Sequence, residues 1–450
     1  MPFDPVVSTV VSPGETPASV TDRIAAITLD WRTPLWWWAA FGLALAMLGM
    51  GALSVGTLFG RGVQAWGNNW PVMWGFDLIN YVWWIGIASG GTLVSSLFFL
   101  TRSAWRTSVN RIAESMTIFA AMCAGIFPII HLGRPWFFYW LFPYPNTMTL
   151  WPQFRSPLLW DFIAILAYVF SSAVFWFLGL MPDVAALRDR AQGRGAQLFY
   201  GVLALGFRGT GAQWRRYHAA YGVIAGIMAP LVVSVHSIVG LDFAAAATPG
   251  WYSTQYPPFF VFGAALSGFG VVLVLLLPLR ALLDLHDYVT ERHLDVLGRL
   301  LLVSSLAVSY CYVMDAFDIF YSGGEAERRQ FLERILGLYG PVYWLTLLMN
   351  CAMPLLLCWR GARLRPWVLG AVGLSAVVGM WLERFGIVVA VLHRTNLPSA
   401  WGDYTPTWVD FGTLAGTLGL FLAGFLLFVR FLPVVSIAEM RQMIGTGKVG

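Results

Sequence analysis

Apolar segments of about 20 residues recur along almost the whole chain and are separated by short polar or charged connections. A helix of this length crosses the roughly 30 Å hydrocarbon core of a bilayer. In lipid, the backbone polar groups have to be satisfied within the protein, which leaves helices and closed barrels as the spanning structures. Barrel strands would alternate polar and apolar residues, and these segments do not. The pattern therefore predicts an all-α integral membrane protein.

The same pattern divides the chain into a polar arm at residues 1–34, a membrane domain at 35–432 and a tail at 433–450. The arm has no apolar segment preceded by basic residues, so we expect no cleavable signal peptide and a flexible or partner-bound arm. We expect two four-helix bundles, formed by spans two to five and spans six to nine, with spans one and ten as flanking helices. The spans, about ten in number, are expected near 35–59, 76–100, 113–132, 158–180, 218–240, 259–284, 298–321, 339–359, 366–393 and 409–432.

Composition agrees with this class of protein, because hydrophobic residues make up 58% and charged residues 11% of the chain. Soluble domains carry about 25% charged residues. The cysteines lie singly in apolar segments, at spacings that do not suit an iron–sulfur cluster. We expect all of them to be small buried hydrophobic residues, and they are Cys123, Cys311, Cys351 and Cys358.

The charged residues indicate how the helices are oriented. Basic residues are counted in each loop together with the ends of the helices that it joins. The termini and the loops after the even-numbered spans hold 20 of them, and the remaining loops hold 7. The positive-inside rule then predicts a multi-pass protein of the bacterial inner membrane with both termini in the cytoplasm. Since the basic residues lie in short loops between spans, they indicate topology rather than a surface for nucleic acid. The loop from Arg134 to Arg155 is expected on the outer, periplasmic side.

One stretch on that outer side combines ionisable and aromatic residues. An apolar helix runs up to His131 and ends at a Gly-Arg-Pro sequence, and a loop rich in Trp, Phe, Tyr and Pro follows it. The next helix begins at Pro157 and carries Asp161 in its first turns. The stretch therefore places a histidine and a carboxylate on neighbouring helices near one membrane face, under an aromatic lid.

This combination suits the oxidation of a quinol, which releases two electrons and two protons. Histidine accepts a proton near neutral pH, and a nearby carboxylate can orient the imidazole and pass the proton on. The aromatic loop offers an apolar slot for the ring. We therefore assign His131 and Asp161 as candidate catalytic residues of a menaquinol or ubiquinol site. The candidate quinol-binding residues around them are Asp77, Arg134, Trp136 and Tyr139.

Further ionisable residues lie within spans or at their ends, where they are costly and indicate function by default. A capping or interfacial role is equally open for the ones near helix ends, which are Asp77, Glu114, Asp161 and His393. Glu383 and Arg384 could neutralise each other or pair with other neighbours. Adjacent helix residues point about 100° apart, so we expect them to have different partners. The candidates for a proton pathway are Glu114, His236, Asp242, Asp315, Glu383, Arg384 and His393.

The histidines do not match a two-haem bundle, which needs four histidines inside spans at two levels. His131, His236 and His393 are all predicted at the outer level. One haem at that level is conceivable and two are not, but no haem pattern is convincing. We therefore expect neither haem nor an iron–sulfur cluster in this chain, and a quinol or quinone as its substrate. Electrons taken from a quinol must then pass to a partner subunit on the outer face.

The residues between 83 and 190 also carry a specific resemblance. The runs ESMTIFA, HLGRPWFFYWLFPYPN and FRSPLLWD resemble the NrfD/polysulfide reductase family of membrane subunits, and within it most resemble the ActC subunit of bacterial alternative complex III. The resemblance extends over all the predicted spans. In that family, the histidine and aspartate that match His131 and Asp161 belong to the quinol site, and polar residues crossing the bundles have been proposed to conduct protons.

The resemblance implies a quinol-oxidising subunit that is active only within a multi-subunit oxidoreductase, and it leaves a contribution to proton translocation open. It implies as partners a periplasmic iron–sulfur subunit, multihaem cytochrome c subunits and a second NrfD-like membrane subunit, with a terminal oxidase as a further candidate. Two other functions stay open. The mid-span charges suggest a proton-coupled transporter or channel without a redox role, and the polar arm and aromatic loop would suit a passive anchor for extrinsic redox subunits.

Overall fold

The computed structural model describes residues 10–12, 14–30, 32–141, 155, 157–394 and 398–445. Over these residues the chain is helical and has no β-strand. Its helices include 10 that are long and apolar enough to cross a membrane, which confirms the predicted number of spans. Most of the aromatic loop that was expected to form a lid, residues 142–154 and 156, lies outside the described part.

The helices are numbered here in chain order. The spanning ones are α2 (Leu35–Arg61), α3 (Phe76–Thr92, continued to Leu100), α4 (Arg106–Ile130), α5 (Pro157–Arg190), α7 (Gly211–Ala244), α8 (Tyr256–Leu282), α9 (Glu291–Tyr321), α11 (Gly340–Leu347, continued to Cys358), α12 (Pro366–Leu392) and α13 (Trp408–Phe431). Shorter helices outside the spans are α1 (Pro17–Leu29), α6 (Arg194–Leu203), α10 (Glu325–Leu336) and α14 (Ile437–Gly445).

Eight of the spanning helices pack in two groups of four, here called the first and second bundle. In the first bundle α3 packs on α4, α4 on α5, α5 on α7, and α7 back on α3. In the second, α8 packs on α9, α9 on the continuation of α11, α11 on α12, and α12 back on α8. The remaining spans, α2 and α13, pair with each other beside α3 and α4. We call the end of the helices where α4 ends the histidine end, and the opposite end, where α4 begins, the basic end.

The two bundles meet where α3 crosses α8, and glycine sets the distance between them. A Cβ atom on Gly90 would lie 2.2 Å from the Cα of Gly268, far inside van der Waals contact. One turn away, a Cβ on Gly86 would lie 3.3 Å from the hydroxyl of Ser267. Small residues let helix backbones approach closely in lipid, where packing replaces the hydrophobic effect as the driving force. This close crossing therefore requires glycine at both Gly90 and Gly268, because a side chain at either position would clash with the backbone of the other helix.

The flanking helices α2 and α13 also approach each other closely at glycine. A Cβ on Gly51 of α2 would lie 2.3 Å from the Cα of Gly416 of α13. Along the same contact the indole of Trp37 donates a hydrogen bond to the carbonyl of Leu426 at 2.9 Å. Most of α2 outside this contact is exposed, which suits a helix at the lipid-facing edge of the protein.

Two spans depart from regular α-helix. Residues Leu93–Leu97 of the α3 segment and Leu348–Ala352 after α11 form π-helical turns, and Met353–Cys358 then continue as 3₁₀-helix. Proline lies inside the fifth and eighth spans, at Pro230 and Pro354. The chain passes Pro230 within α7, whereas Pro354 lies in the irregular end of the eighth span. The eighth span is therefore more irregular than the fifth.

The polar arm is not an independent extension over its described length. Residues of α1 pack against α5, α13 and α14 at the basic end. Arg23 of α1 forms an ion pair with Asp287 at 2.6 Å, and Asp22 pairs with Arg190 at 2.8 Å. Residues 17–29 therefore form a helix that packs on this end of the bundles with Val20, Ile24 and Ala25 buried, rather than a flexible segment. That a partner binds the arm stays a prediction.

Candidate functional site

His131 is placed by the end of α4. Its backbone N–H still bonds to Phe127 at 2.9 Å, and the chain turns away at Gly133, whose φ of 64° favours glycine. A Cβ at Gly133 would also lie 2.8 Å from a methyl group of Val63. The imidazole therefore sits at the histidine end of the first bundle, one residue beyond the spanning helix, with 13% of its side chain exposed.

The carboxylate nearest to this imidazole is Asp77, which opens α3. Its Oδ1 accepts a hydrogen bond from the backbone N–H of Gly75 at 2.8 Å, and its Oδ2 lies 3.7 Å from Nε2 of His131. Burial lowers the pKa of the His131 imidazole, and the Asp77 carboxylate acts in the opposite direction. A neutral imidazole beside a carboxylate is the arrangement that a proton acceptor requires.

Asp161 is linked to this pair through Tyr81 rather than directly. The Tyr81 hydroxyl donates a hydrogen bond to Oδ2 of Asp161, and the Tyr81 ring lies 5.8 Å from the imidazole of His131. The expected pairing of His131 with Asp161 is therefore replaced by a chain that runs through tyrosine. Tyr81 did not stand out in the sequence, although its position one helical turn after Asp77 puts both on the same face of α3.

Aromatic rings surround the imidazole on its other sides. Phe127, Trp74 and Trp66 lie 5.6, 5.7 and 6.3 Å from it between ring centroids. The indole of Trp66 is held in place by the hydroxyl of Thr413 at 3.3 Å, so the flanking helix α13 contributes to this wall. These rings come from the loop before α3 and from α4, whereas the expectation rested on the loop after α4.

The described beginning of the aromatic loop is a 3₁₀ turn, Pro135–Leu141. It presents Trp136 and Tyr139 at the surface, 57% and 42% exposed, and Arg134 is exposed just before it. These three candidate quinol-binding residues therefore follow the site along the chain and are exposed.

Several buried polar atoms of this cluster have no hydrogen-bond partner among the described residues. They are Nε2 of His131, Oδ2 of Asp77, Oδ1 of Asp161 and Oδ1 of Asp242. Asp242, near the end of α7, is close enough to Asp161 for the two carboxyl groups to interact electrostatically. Buried polar atoms are normally satisfied, so this group of acceptors fits a ligand that brings hydroxyl hydrogens.

His236 lies deeper in the first bundle, towards the bundle junction. Its Nδ1 is 2.9 Å from the hydroxyl of Ser89 on α3, and its Nε2 is another buried atom without a partner in the described chain. Arg384 of the second bundle is close enough to interact with it electrostatically. His236 therefore connects the polar groups of the two bundles.

The second bundle holds its own charged residues. Arg334 of α10 bonds to Asp315 at 2.5 Å. Arg384 donates to its neighbour Glu383, also at 2.5 Å, so the expectation of different partners was wrong because the long guanidinium side chain folds back. A cavity of about 50 Å³, enough for a few water molecules, is lined by Asp315, Arg334, Glu383, Tyr256, Tyr312 and Tyr343.

Two of the proton-pathway candidates lie apart from both groups. His393 follows α12 in the second bundle, where its Nδ1 is 3.1 Å from the carbonyl of Ala390. Glu114 is buried at the basic end of the first bundle and bonds to Arg111 and Tyr221, each at 2.6 Å. These contacts suit structural roles, and Glu114 is at the opposite end of α4 from His131.

The cysteines do not form a cluster within the described residues, where no group of three or more His, Cys, Asp or Glu side chains is arranged to hold a metal ion. Cys123 and Cys311 are buried as expected. The expectation was wrong for Cys358, which is exposed, and Cys351 is only partly buried. Both lie in the irregular eighth span, which faces outward over much of its length.

Comparison with known proteins identifies the family. Residues 65–396 match the family model described as polysulphide reductase, NrfD, and the chain therefore belongs to this family of membrane subunits. It is 26% identical over 387 residues to a subunit of the selenate reductase of Mesobacillus selenatarsenatis, covering 81% of this chain and 86% of that protein. It is likewise 26% identical over 428 residues to a putative membrane subunit of a dimethyl sulfoxide reductase of Halobacterium salinarum, covering 88% and 91% of the two chains.

These findings confirm the family-level resemblance. They also identify relatives that are named as subunits of reductases, so the class of a redox-complex subunit is supported over that of an independent transporter. Neither relative is named as a subunit of alternative complex III. The comparisons therefore do not support the closer similarity to ActC.

Proposed function

We propose that this chain is the quinol-oxidising membrane subunit of a respiratory oxidoreductase complex. The observation that carries the proposal is the cluster of His131, Asp77, Tyr81 and Asp161, with unpaired acceptor atoms on three of them and aromatic rings around the imidazole. Membership of a family whose subunits interact with quinones supports the same substrate.

In this function the cluster receives the two hydroxyl hydrogens of the quinol. Nε2 of His131 accepts one of them, and the free oxygen of Asp161 accepts the other. Asp77 stabilises the imidazolium that forms, and Tyr81 holds Asp161 in position. A positioned proton acceptor of this kind accelerates a reaction by about 10² to 10⁴. As the protons leave the ring oxygens, the two electrons leave the quinol for a partner subunit.

We propose an iron–sulfur subunit as that partner, docked over the exposed aromatic turn at Trp136 and Tyr139. Relatives named as subunits of selenate and dimethyl sulfoxide reductases support a reductase of this general kind as the remainder of the complex. A narrower version of this proposal is that the complex is an alternative complex III. The chain would then assemble with multihaem cytochromes c, a second NrfD-like subunit and a terminal oxidase. The arginine distribution supports an inner-membrane protein with cytoplasmic termini and an outer, periplasmic histidine end.

The direct test is to purify the complex from native membranes through a tag on this chain. We expect an iron–sulfur subunit to copurify and the preparation to oxidise an added quinol with an electron acceptor present. Copurification of multihaem cytochromes would support an alternative complex III. Copurification of a molybdenum-containing reductase would show that the remainder of the complex is a reductase of that kind instead. Two results would contradict the proposal. One is solute transport by the purified chain without any redox subunit, and the other is a purified complex that does not oxidise quinol.

We further propose that protons move between the bundles through His236 and Glu383, with Arg384 as the fixed positive charge beside them. The electrostatic contact of His236 with Arg384 and the cavity beside Glu383 support this route. Replacing Glu383 with glutamine keeps the volume and the hydrogen bond from Arg384 but removes the proton-binding group. In liposomes, the E383Q complex should retain most quinol turnover and lose quinol-driven movement of protons across the membrane, which a pH-sensitive dye reports.

Asp318 offers the matched control for this variant, because it is an exposed carboxylate at the histidine end of α9 whose side chain bonds to Ser322. D318N should leave both turnover and proton movement unchanged. Equal proton movement per electron in E383Q and in the unmodified complex would reject the route.

A further inference from the structure

The basic end of the first bundle contains a cavity that the proposed function does not use. Its volume is about 520 Å³, and it lies between the ends of α5 and α7 and the C-terminal helix α14. Arginine side chains and one histidine line it, namely Arg188, Arg190, Arg208, Arg441 and His218, together with a single carboxylate, Asp189. His131 and Asp161 lie at the opposite ends of α4 and α5, so the two sites are separate.

The positive charge of this cavity is only partly neutralised. Arg188 bonds to Asp189 at 2.8 Å and to the carbonyl of Phe207 at 2.9 Å, and Arg190 pairs with Asp22. Arg208 and Arg441 have no carboxylate partner within the described residues. Two exposed guanidinium groups therefore face a space in which they can bind an anion, and guanidinium binds phosphate through paired hydrogen bonds.

The neighbouring surface is apolar and faces outward. The surface helix α6 exposes Leu198, Phe199 and Val202 at 69%, 50% and 64%, and Leu205 just after it is 69% exposed. A helix with such a face beside arginines lies in the plane of the membrane interface, with its apolar residues among the upper acyl chains. The cavity is therefore at the depth of lipid headgroups rather than in open solution.

We propose that this cavity binds the headgroup of an anionic phospholipid. Arg208 and Arg441 hold the phosphate, His218, which stacks on Trp214 at 5.6 Å, offers a further donor, and the acyl chains run along the apolar face of α6. The juxtaposition of unpaired arginines with an exposed apolar helix favours this occupant over a soluble phosphate, which would not use the apolar surface. The bound lipid would fix the connection between α5 and α7 at the interface.

The proposal is tested with the full-length chain, purified and placed in nanodiscs of phosphatidylcholine that contain a minor fraction of phosphatidylglycerol. Native mass spectrometry of the ejected protein measures which lipid remains bound. Each arginine near an anionic surface contributes about 1 kcal/mol, which corresponds to about fivefold in binding. We expect phosphatidylglycerol to be retained over phosphatidylcholine, and the double variant R208Q/R441Q to lose about 25-fold of that preference.

The matched control is R360Q/R365Q, which removes two exposed arginines from the same end of the second bundle and should keep the preference. The single variant H218Q should lower it in part, and provides a measurement if the double variant does not fold. Retention that is equal for the two lipids, an equal loss in the control, or complete displacement of phosphatidylglycerol by inorganic phosphate would overturn the proposal. Displacement by phosphate would identify a site for free anions.

Discussion

Replacement of His131 by glutamine is expected to lower quinol oxidation by the assembled complex by about 10² to 10⁴. Glutamine has a similar size and can still form a hydrogen bond, but it cannot take up a proton. The loss should therefore appear as a reduced maximal rate, because the ring wall of Trp66, Trp74 and Phe127 that surrounds the substrate position stays in place. Steady-state turnover with a soluble quinol analogue and an artificial acceptor measures it.

Two further variants sharpen this experiment. Y81F removes only the hydroxyl that bonds to Asp161 and should cost about ten- to a hundredfold, since one hydrogen bond to a charged group contributes about 1.5–3 kcal/mol. H286Q changes a histidine in an exposed loop at the basic end and should leave turnover unchanged. Full turnover in H131Q, with the complex intact, would show that another residue accepts the proton.

The second large effect is expected from valine at Gly90. The added side chain would meet the Cα of Gly268 at 2.2 Å, and neither backbone can move aside without separating α3 from α8. Overpacking in a well-packed interior typically costs about 1–3 kcal/mol and occasionally more, and a clash between two backbones belongs at the upper end. We expect G90V to give little folded protein and a clearly lower thermal unfolding temperature in detergent.

Gly226 of α7 provides the control, because a Cβ atom there meets nothing within 4 Å. G226V should therefore fold with nearly unchanged stability in the same membrane environment. If G90V and G226V unfolded at the same temperature, the close crossing of α3 and α8 would not be what joins the bundles.

Those two predictions rest on different kinds of information in the chain. His131 can be chosen as a candidate from the sequence because it stands at the end of a long apolar run, before a Gly-Arg-Pro stop. Gly90 was not, because one glycine among 46 carries no mark of which neighbour it faces. Only the crossing of α3 and α8 distinguishes Gly90 from Gly226.

The candidate site likewise combines residues that the sequence indicates with contacts that only the packing of the helices shows. Asp161 and His131 could be predicted to lie at one end of the first bundle, since both are close to helix ends on the same side of the membrane. Which carboxylate faces the imidazole depends on how each helix is rotated about its axis. That rotation puts Asp77 at 3.7 Å from His131 and puts Tyr81 between His131 and Asp161.

Local hydrophobicity, helix length and contiguous motifs are enough to predict the membrane class, the number of spans and the family. Packing sets the partners: Asp77 for His131, Tyr81 for Asp161, and the basic end of the bundles for helix α1. Partners come from contacts between residues far apart in the chain, and these are set by packing and helix rotation rather than by any local pattern.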